Sequence, residues 1–227
     1  YLNYTGDYEF VKEYIYDKLK EIIPSIRNKI IKMGGEFRFS TKLTDIKIEN
    51  EKVVAVTLND KEQLPCNILV LAIGHSARDT FHLLDDKNLL MESKPFAVGV
   101  RVMHYQKMID KEQYQNKIKK APYKLTYQTK NHRGVYSFCM CPGGYVINSA
   151  SENNSLVVNG MSNYLRDSNT ANSAIVVTVS KKDYGEGLFA GVKYQQELEK
   201  KAYLKGNGKI PVEYYQDFLN KKITKKE

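Results

Sequence analysis

The apolar positions of the chain change their period several times, and each change predicts an element. Between Asp7 and Met33 they recur at Val11, Ile15, Leu19, Ile22, Ile26, Ile30 and Met33. Steps of three and four residues set these side chains on one helical stripe. Pro24 interrupts the stripe and predicts a kink or two abutting helices, and Gly34-Gly35 supplies the stop. The period then falls to two. "EFRFS", "LTDIKIEN" and "KVVAVTLN" predict a small antiparallel meander, with a hairpin at the intervening "NEK". "CNILVLAIG" is almost continuously apolar, as a strand buried on both faces is. After Gly74, "HSARDTFHLLDD" returns to a helical period with Ser76 as its predicted N-cap.

Beyond Pro95 short strands dominate: "FAVGVRVMH", "YKLTYQT", "GVYSFCM", "GYVINSA", "SLVVNGM" and "SAIVVTV". Only "YQKMIDKEQYQ" and "FAGVKYQQELEKKAYLKG" carry a helical pattern there. The expected class is α+β. Residues 1–93 would form one domain (helix, meander, buried strand, helix), and residues 94–227 a mostly antiparallel β-domain with peripheral helices.

Four stretches carry candidate chemistry. The turn at Ala72, Gly74, His75 and Ser76 leads from a strand into a helix start, where a side-chain-free position and free amides suit an anionic ligand; an ordinary connection needing Gly74 fits equally. In "FAVGVRV", Arg101 shares a strand face with Gly99, which suits bidentate binding of a carboxylate or phosphate; pairing with an acidic neighbour is the plainer alternative. Cys139 and Cys141 would point the same way on a strand, as a metal half-site, a thiol pair or packed wall residues. Cys66 and the histidines at 75, 82, 104 and 132 form no second ligand pair, so no metal is expected. Pro142-Gly143-Gly144, then Ser151, Glu152 and Asn159, bring turn residues and polar side chains into strand-rich surroundings. That breaks local propensity and marks a candidate pocket wall. Arg101, Cys139 and Cys141 are the catalytic candidates. No nucleophile elbow is present; Asp45 with Asp79, or Glu152 with Asp167, are the remaining acid–base pairs.

The net charge of +9 attracts phosphate-rich partners of any kind. The lysines are dispersed, however, and no nucleic-acid-binding consensus accompanies them, so a solvated basic surface accounts for the charge. Three cysteines give no disulfide framework, and no apolar run reaches the length of a membrane span. A cytoplasmic setting is expected.

Taken together, "VLAIGHSARDTFHLL", "KPFAVGVRVMH", "RGVYSFCMCPGGYVINSASE", "VVNGMSNYLRDSNTANSAIVVTV" and "LFAGVKYQQELEKKAY" resemble the FAD-dependent dehydrogenases known as NAD(FAD)-utilising dehydrogenases. The resemblance covers nearly the whole chain. It implies a flavoprotein with two dinucleotide-binding domains, in which Ala72-Ile73-Gly74, with His75 and Ser76, meets FAD. The β-rich part would face the substrate through Arg101, Gly143, Gly144, Ser151, Glu152 and Asn159, with NAD(P)H as a candidate electron donor. At residues 14–19 "YIYDKL" departs from the family pattern, and no G-x-G-x-x-G turn for the FAD pyrophosphate occurs. The chain is therefore expected to be an internal fragment of an oxidoreductase, partnered by the rest of its FAD domain and weak in FAD binding alone. An RNA-modifying flavoprotein module and a non-catalytic interaction domain are the alternatives.

Overall fold

The structure is a computed structural model that describes residues 18–115, 117 and 120–222. These fall into two compact units, one of Lys20–Ser93 and one built from Lys94 onward. Both combine helices with antiparallel sheets, so the class is α+β.

In the smaller unit, α1 (Leu19–Lys32) runs through Pro24 without a break. The proline's missing N–H falls only one turn into the described helix, so a single hydrogen bond is forgone. The expected extension of this helix back to Asp7 lies outside the described residues. α1 ends where the glycines predict: Gly35 N–H donates to the Ile30 carbonyl and Gly34 N–H to that of Ile31, both at 2.9 Å. Gly34, at φ +90°, makes this paired closure.

Strands β1 (Leu43–Glu49) and β2 (Lys52–Leu58) form the expected hairpin, with Asn50 and Glu51 both left-handed, as a twisted two-residue turn requires. The third strand is not "EFRFS", which makes no ladder, but β3 (Glu62–Pro65) paired to β2. Ile46, Ala55 and Val56 are the buried apolar residues here. Helix α2 (Arg78–Asp86) is tied to the segment around β1 at both ends. Lys42 pairs with Asp79 in its first turn and Lys87, its C-cap, with Asp45, each at 2.6 Å. Both carboxylates are held below their ordinary range by these lysine contacts, so the clamps act at neutral pH and weaken as pH falls. Asp45 and Asp79 thus serve as anchors for one helix, not as an acid–base pair.

Two further readings of this unit are corrected. Residues 66–74 belong to no sheet, and Ile68 and Val70 are 83% and 81% exposed. The apolar run has the composition of a doubly covered strand, but nothing described covers it. The apolar stripe of α1 is likewise bare, from Ile22 to Ile31. Second, the N-cap of α2 is Ala77, not Ser76. The Ser76 hydroxyl pairs with His75 Nε2 at 3.3 Å, and Asp79 caps locally by accepting from the Thr80 N–H at 2.9 Å.

The larger unit is built on β9 (Thr170–Val179). It pairs with β4 (Phe96–Tyr105) over ten residues without a slip, and on its other edge with β6 (Gly134–Cys141), giving the order β4-β9-β6-β5, with β5 at Thr126–Gln128. A separate ribbon pairs β7 (Gly144–Asn148) with β8 (Val158–Ser162). Helix α3 (Gln106–Tyr114) follows β4 directly. The short α4 (Lys181–Tyr184) opens on a complete Ser180–Asp183 capping box, in which Asp183 also pairs with Arg133 at 2.7 Å. Phe96 stacks on Tyr184, and Tyr194 closes the trio, fastening α5 (Ala190–Lys205) to this unit. α4 and the terminal α6 (Tyr215–Leu219) are too short to leave a periodic signal in the sequence.

Candidate functional site

Strand register assembles the site. On β4, Arg101 stands opposite Ala174 of β9, one diagonal step from Asn172, which in turn opposes Cys141 of β6. Residues that oppose or alternate by two share a face, so Arg101, Asn172 and Cys141 converge from three strands. The Arg101 guanidinium reaches out of the four-stranded sheet to the β7–β8 ribbon. Its Nη1 donates to the Asn172 Oδ1 and, at 3.2 Å, to the Cys139 carbonyl; its Nη2 donates to Asn159 Oδ1 at 3.2 Å. Gly160 makes the room. A Cβ there would overlap both the guanidinium and the Asn172 amide.

All of these acceptors are neutral, and no carboxylate of the described residues pairs with Arg101. Among the described residues Arg101 has no acidic partner, and this half-buried cation is held in place by amide oxygens. Asn172 is completely buried, and with its oxygen committed to the guanidinium its Nδ2 finds no acceptor. A polar group left so is costly in a protein interior, by about 1–3 kcal/mol. What the face offers a ligand is the half-buried positive charge of Arg101, which suits an oxyanion or carbonyl; the Asn172 amide is sealed beneath it.

Further polar groups lie close by. His104 Nε2 is 3.0 Å from the Tyr123 hydroxyl. Burial pushes that phenol up from its ordinary pKa, opposed by Ser173 and by the Arg101 charge. Burial likewise raises the Cys141 thiol, opposed by Arg101 and Ser162.

The remaining predicted residues sort differently. Asn159 joins Arg101. Ser151 is exposed, and Glu152 lies in the loop between β7 and β8, where its carbonyl accepts from Ser155 Oγ at 3.2 Å. Pro142-Gly143-Gly144 carries the chain from one sheet to the other and is pinned on three sides. The Gly143 N–H donates to Gln106 Oε1 at 2.8 Å, Ser162 Oγ to the Pro142 carbonyl at 2.7 Å, and Thr170 Oγ1 to the Gly144 carbonyl at 3.0 Å. Gly143 sits at φ +52°, and a Cβ there would overlap the Arg166 carbonyl; one on Gly144 would meet Met161 and Ser162. The close approach these glycines permit is to the protein's own chain. Cys139 and Cys141 do not share the regular alternation expected of a strand, because a bulge separates Phe138 from Cys141. Among the described residues no three His, Cys, Asp or Glu side chains gather into a metal site.

The sequence had not pointed to Gln106 and Asp110, both buried. The Asp110 carboxyl accepts from Gln106 Nε2 at 2.7 Å and from the Ala121 N–H at 2.8 Å. One signal was present: two polar side chains four apart on the inward side of a short helix.

In the smaller unit, Ala72, Gly74 and His75 are exposed ahead of α2. Gly74 adopts φ +69°, and no atom lies within 4 Å of the place a Cβ would occupy. The backbone there is open to close approach.

Comparison with known proteins gives the family. A protein of Clostridium beijerinckii described as uncharacterised is 45% identical over 219 residues, covering 92% of this chain and 41% of that protein. The chain thus spans less than half the length of this relative. Residues 95–227 match the family model for the C-terminal domain-like region of FAD-dependent proteins. The strand wall that carries Arg101 lies wholly within that match, and the chain belongs to this FAD-dependent protein family.

Proposed function

We propose that this chain is part of an FAD-dependent oxidoreductase of the dehydrogenase type. In this reading the Lys94–Lys222 unit forms the substrate side, and the Lys20–Ser93 unit contributes to the flavin side through Ala72, Gly74, His75 and Ser76. The observation that carries the proposal is the half-buried Arg101 guanidinium, whose acceptors among the described residues are all neutral oxygens. Arg101 would bind a carboxylate or a polarised carbonyl of the substrate, with Asn159 fixing its fork and the Gly143-Gly144 turn holding the ribbon in position. FAD, when bound, would supply the acceptor for a hydride or electron pair, and NAD(P)H is the proposed donor.

Ile68, Val70 and the α1 stripe fit a unit whose covering strands are supplied by further sequence. That is consistent with a relative more than twice as long. The test is spectroscopic. The full gene product is expected to purify with flavin absorption bands that bleach on addition of NADH or NADPH, whereas the 227-residue chain purifies without stoichiometric flavin. Stoichiometric flavin on this chain alone would overturn the division of roles, and a colourless full product would overturn the flavoprotein reading.

A further inference from the structure

All three cysteines are free thiols, and two of them, Cys139 and Cys141, lie two residues apart on an unusual stretch of backbone. Between the pairs Phe138–Ala174 and Cys141–Asn172, two residues of β6, Cys139 and Met140, face Ser173 alone on β9. This is a β-bulge, and Cys139 within it takes φ +46°, a conformation that costs a non-glycine residue about 1–3 kcal/mol. The bulge changes what the thiols can do. In a regular strand, residues two apart are separated by about 6.6–6.8 Å between Cα atoms, at the outer limit of disulfide geometry. A left-handed residue shortens that span. The Cys141 sulfur is already folded back, donating to the carbonyl of Cys139 itself at 3.3 Å. The same carbonyl accepts from Arg101 Nη1 at 3.2 Å, so a fixed cation stands beside the pair. Cys139 is exposed and Cys141 half-buried, which gives the two sulfurs different access to an incoming reagent.

We infer that Cys139 and Cys141 form a redox-active dithiol, which closes and opens by exchange with small-molecule disulfides of the glutathione class. The exposed Cys139 thiolate attacks one sulfur of the disulfide, forming a mixed disulfide and releasing one small thiolate. Cys141, once it has lost its proton to solvent, then attacks the Cys139 sulfur and expels the second thiolate. Two protein S–H bonds and one external S–S bond are lost, one protein S–S bond forms, and the two protons pass to the released thiols. Arg101 assists by stabilising the Cys141 thiolate against the burial that opposes it.

The test uses the chain as it stands, without flavin, so its failure leaves the proposed oxidoreductase role untouched. The protein is equilibrated anaerobically in mixtures of reduced and oxidised glutathione, free thiols are trapped by alkylation, and the peptide spanning residues 134–148 is mapped by mass. The expected result is joint loss of both thiols with a loss of two hydrogens, following the ratio of squared thiol to disulfide, while Cys66 still alkylates. The Cys141→Ser variant should stop at the glutathione adduct on Cys139; if that variant does not fold, the wild-type map alone decides. Independent titration of the two thiols, a persistent mixed disulfide in the wild type, or pairing with Cys66 would overturn the inference.

Discussion

Gly143→Ala is expected to destabilise the larger unit by about 3 kcal/mol. A left-handed backbone costs an L-residue roughly 1–2 kcal/mol, and forcing extra volume into packed surroundings roughly 1–3 kcal/mol more. Both apply at φ +52° against the Arg166 carbonyl. The obstacle is backbone, so no side chain can swing aside. The turn must move, and with it the bonds from Gly143 to Gln106 and from Ser162 to Pro142. Thermal unfolding should fall by on the order of 10 °C, in the range expected for a unit of this size. A change under 1 kcal/mol would show that the turn is not held as described.

Asp110→Ala is expected to cost a similar amount, about 3 kcal/mol, through a different mechanism. Removing the carboxyl orphans the N–H of Ala121, which is completely buried, and frees Gln106 from one of its anchors. A buried donor left unpaired costs about 1–3 kcal/mol, beyond the bonds themselves. Asp110→Asn keeps an acceptor oxygen in place and should lose much less. Because Gln106 links Asp110 to the Gly143 N–H, the two alanine replacements act on one network, and together they should cost clearly less than their sum in denaturant unfolding. Additivity would separate the helix from the turn.

The sequence revealed those elements whose pattern depends only on their neighbours along the chain. Alternation marked β4, short β-rich runs marked β6 and β9, and the paired glycines marked the end of α1. The misread pieces depend on what lies across from them. The apolar run 66–74 has the composition of a buried strand, but burial is a property of its covering, and no described residue provides one. "EFRFS" alternates well enough, yet β2 pairs instead with Glu62–Pro65, which reaches it through a short turn.

The site shows the same division. The polar density of "VVNGMSNYLRDSNTANSA" broke strand propensity for a reason now visible in two of its residues, Asn159 and Asn172, which hold Arg101. Asn172 could not be singled out beforehand, because only the β4–β9–β6 register sets it between Arg101 and Cys141. Gly143 and Gly144 were legible as a turn. That their missing side chains make room for Arg166, Met161 and Ser162 is a tertiary fact. Neither could periodicity foresee the bulge at Cys139, since "VYSFCMC" is apolar nearly throughout and has no alternation for an inserted residue to break.

The reading turns on Arg101 as the group that meets the substrate. It is tested most directly by titrating the flavin-bearing full gene product with small carboxylates while following the flavin bands, with and without Arg101→Met. The account predicts a saturable spectral change in the wild type and binding weakened by about 10- to 100-fold in the variant, the equivalent of one charge-assisted hydrogen bond. Flavin content should be unchanged. Equal carboxylate affinity in both proteins would contradict it.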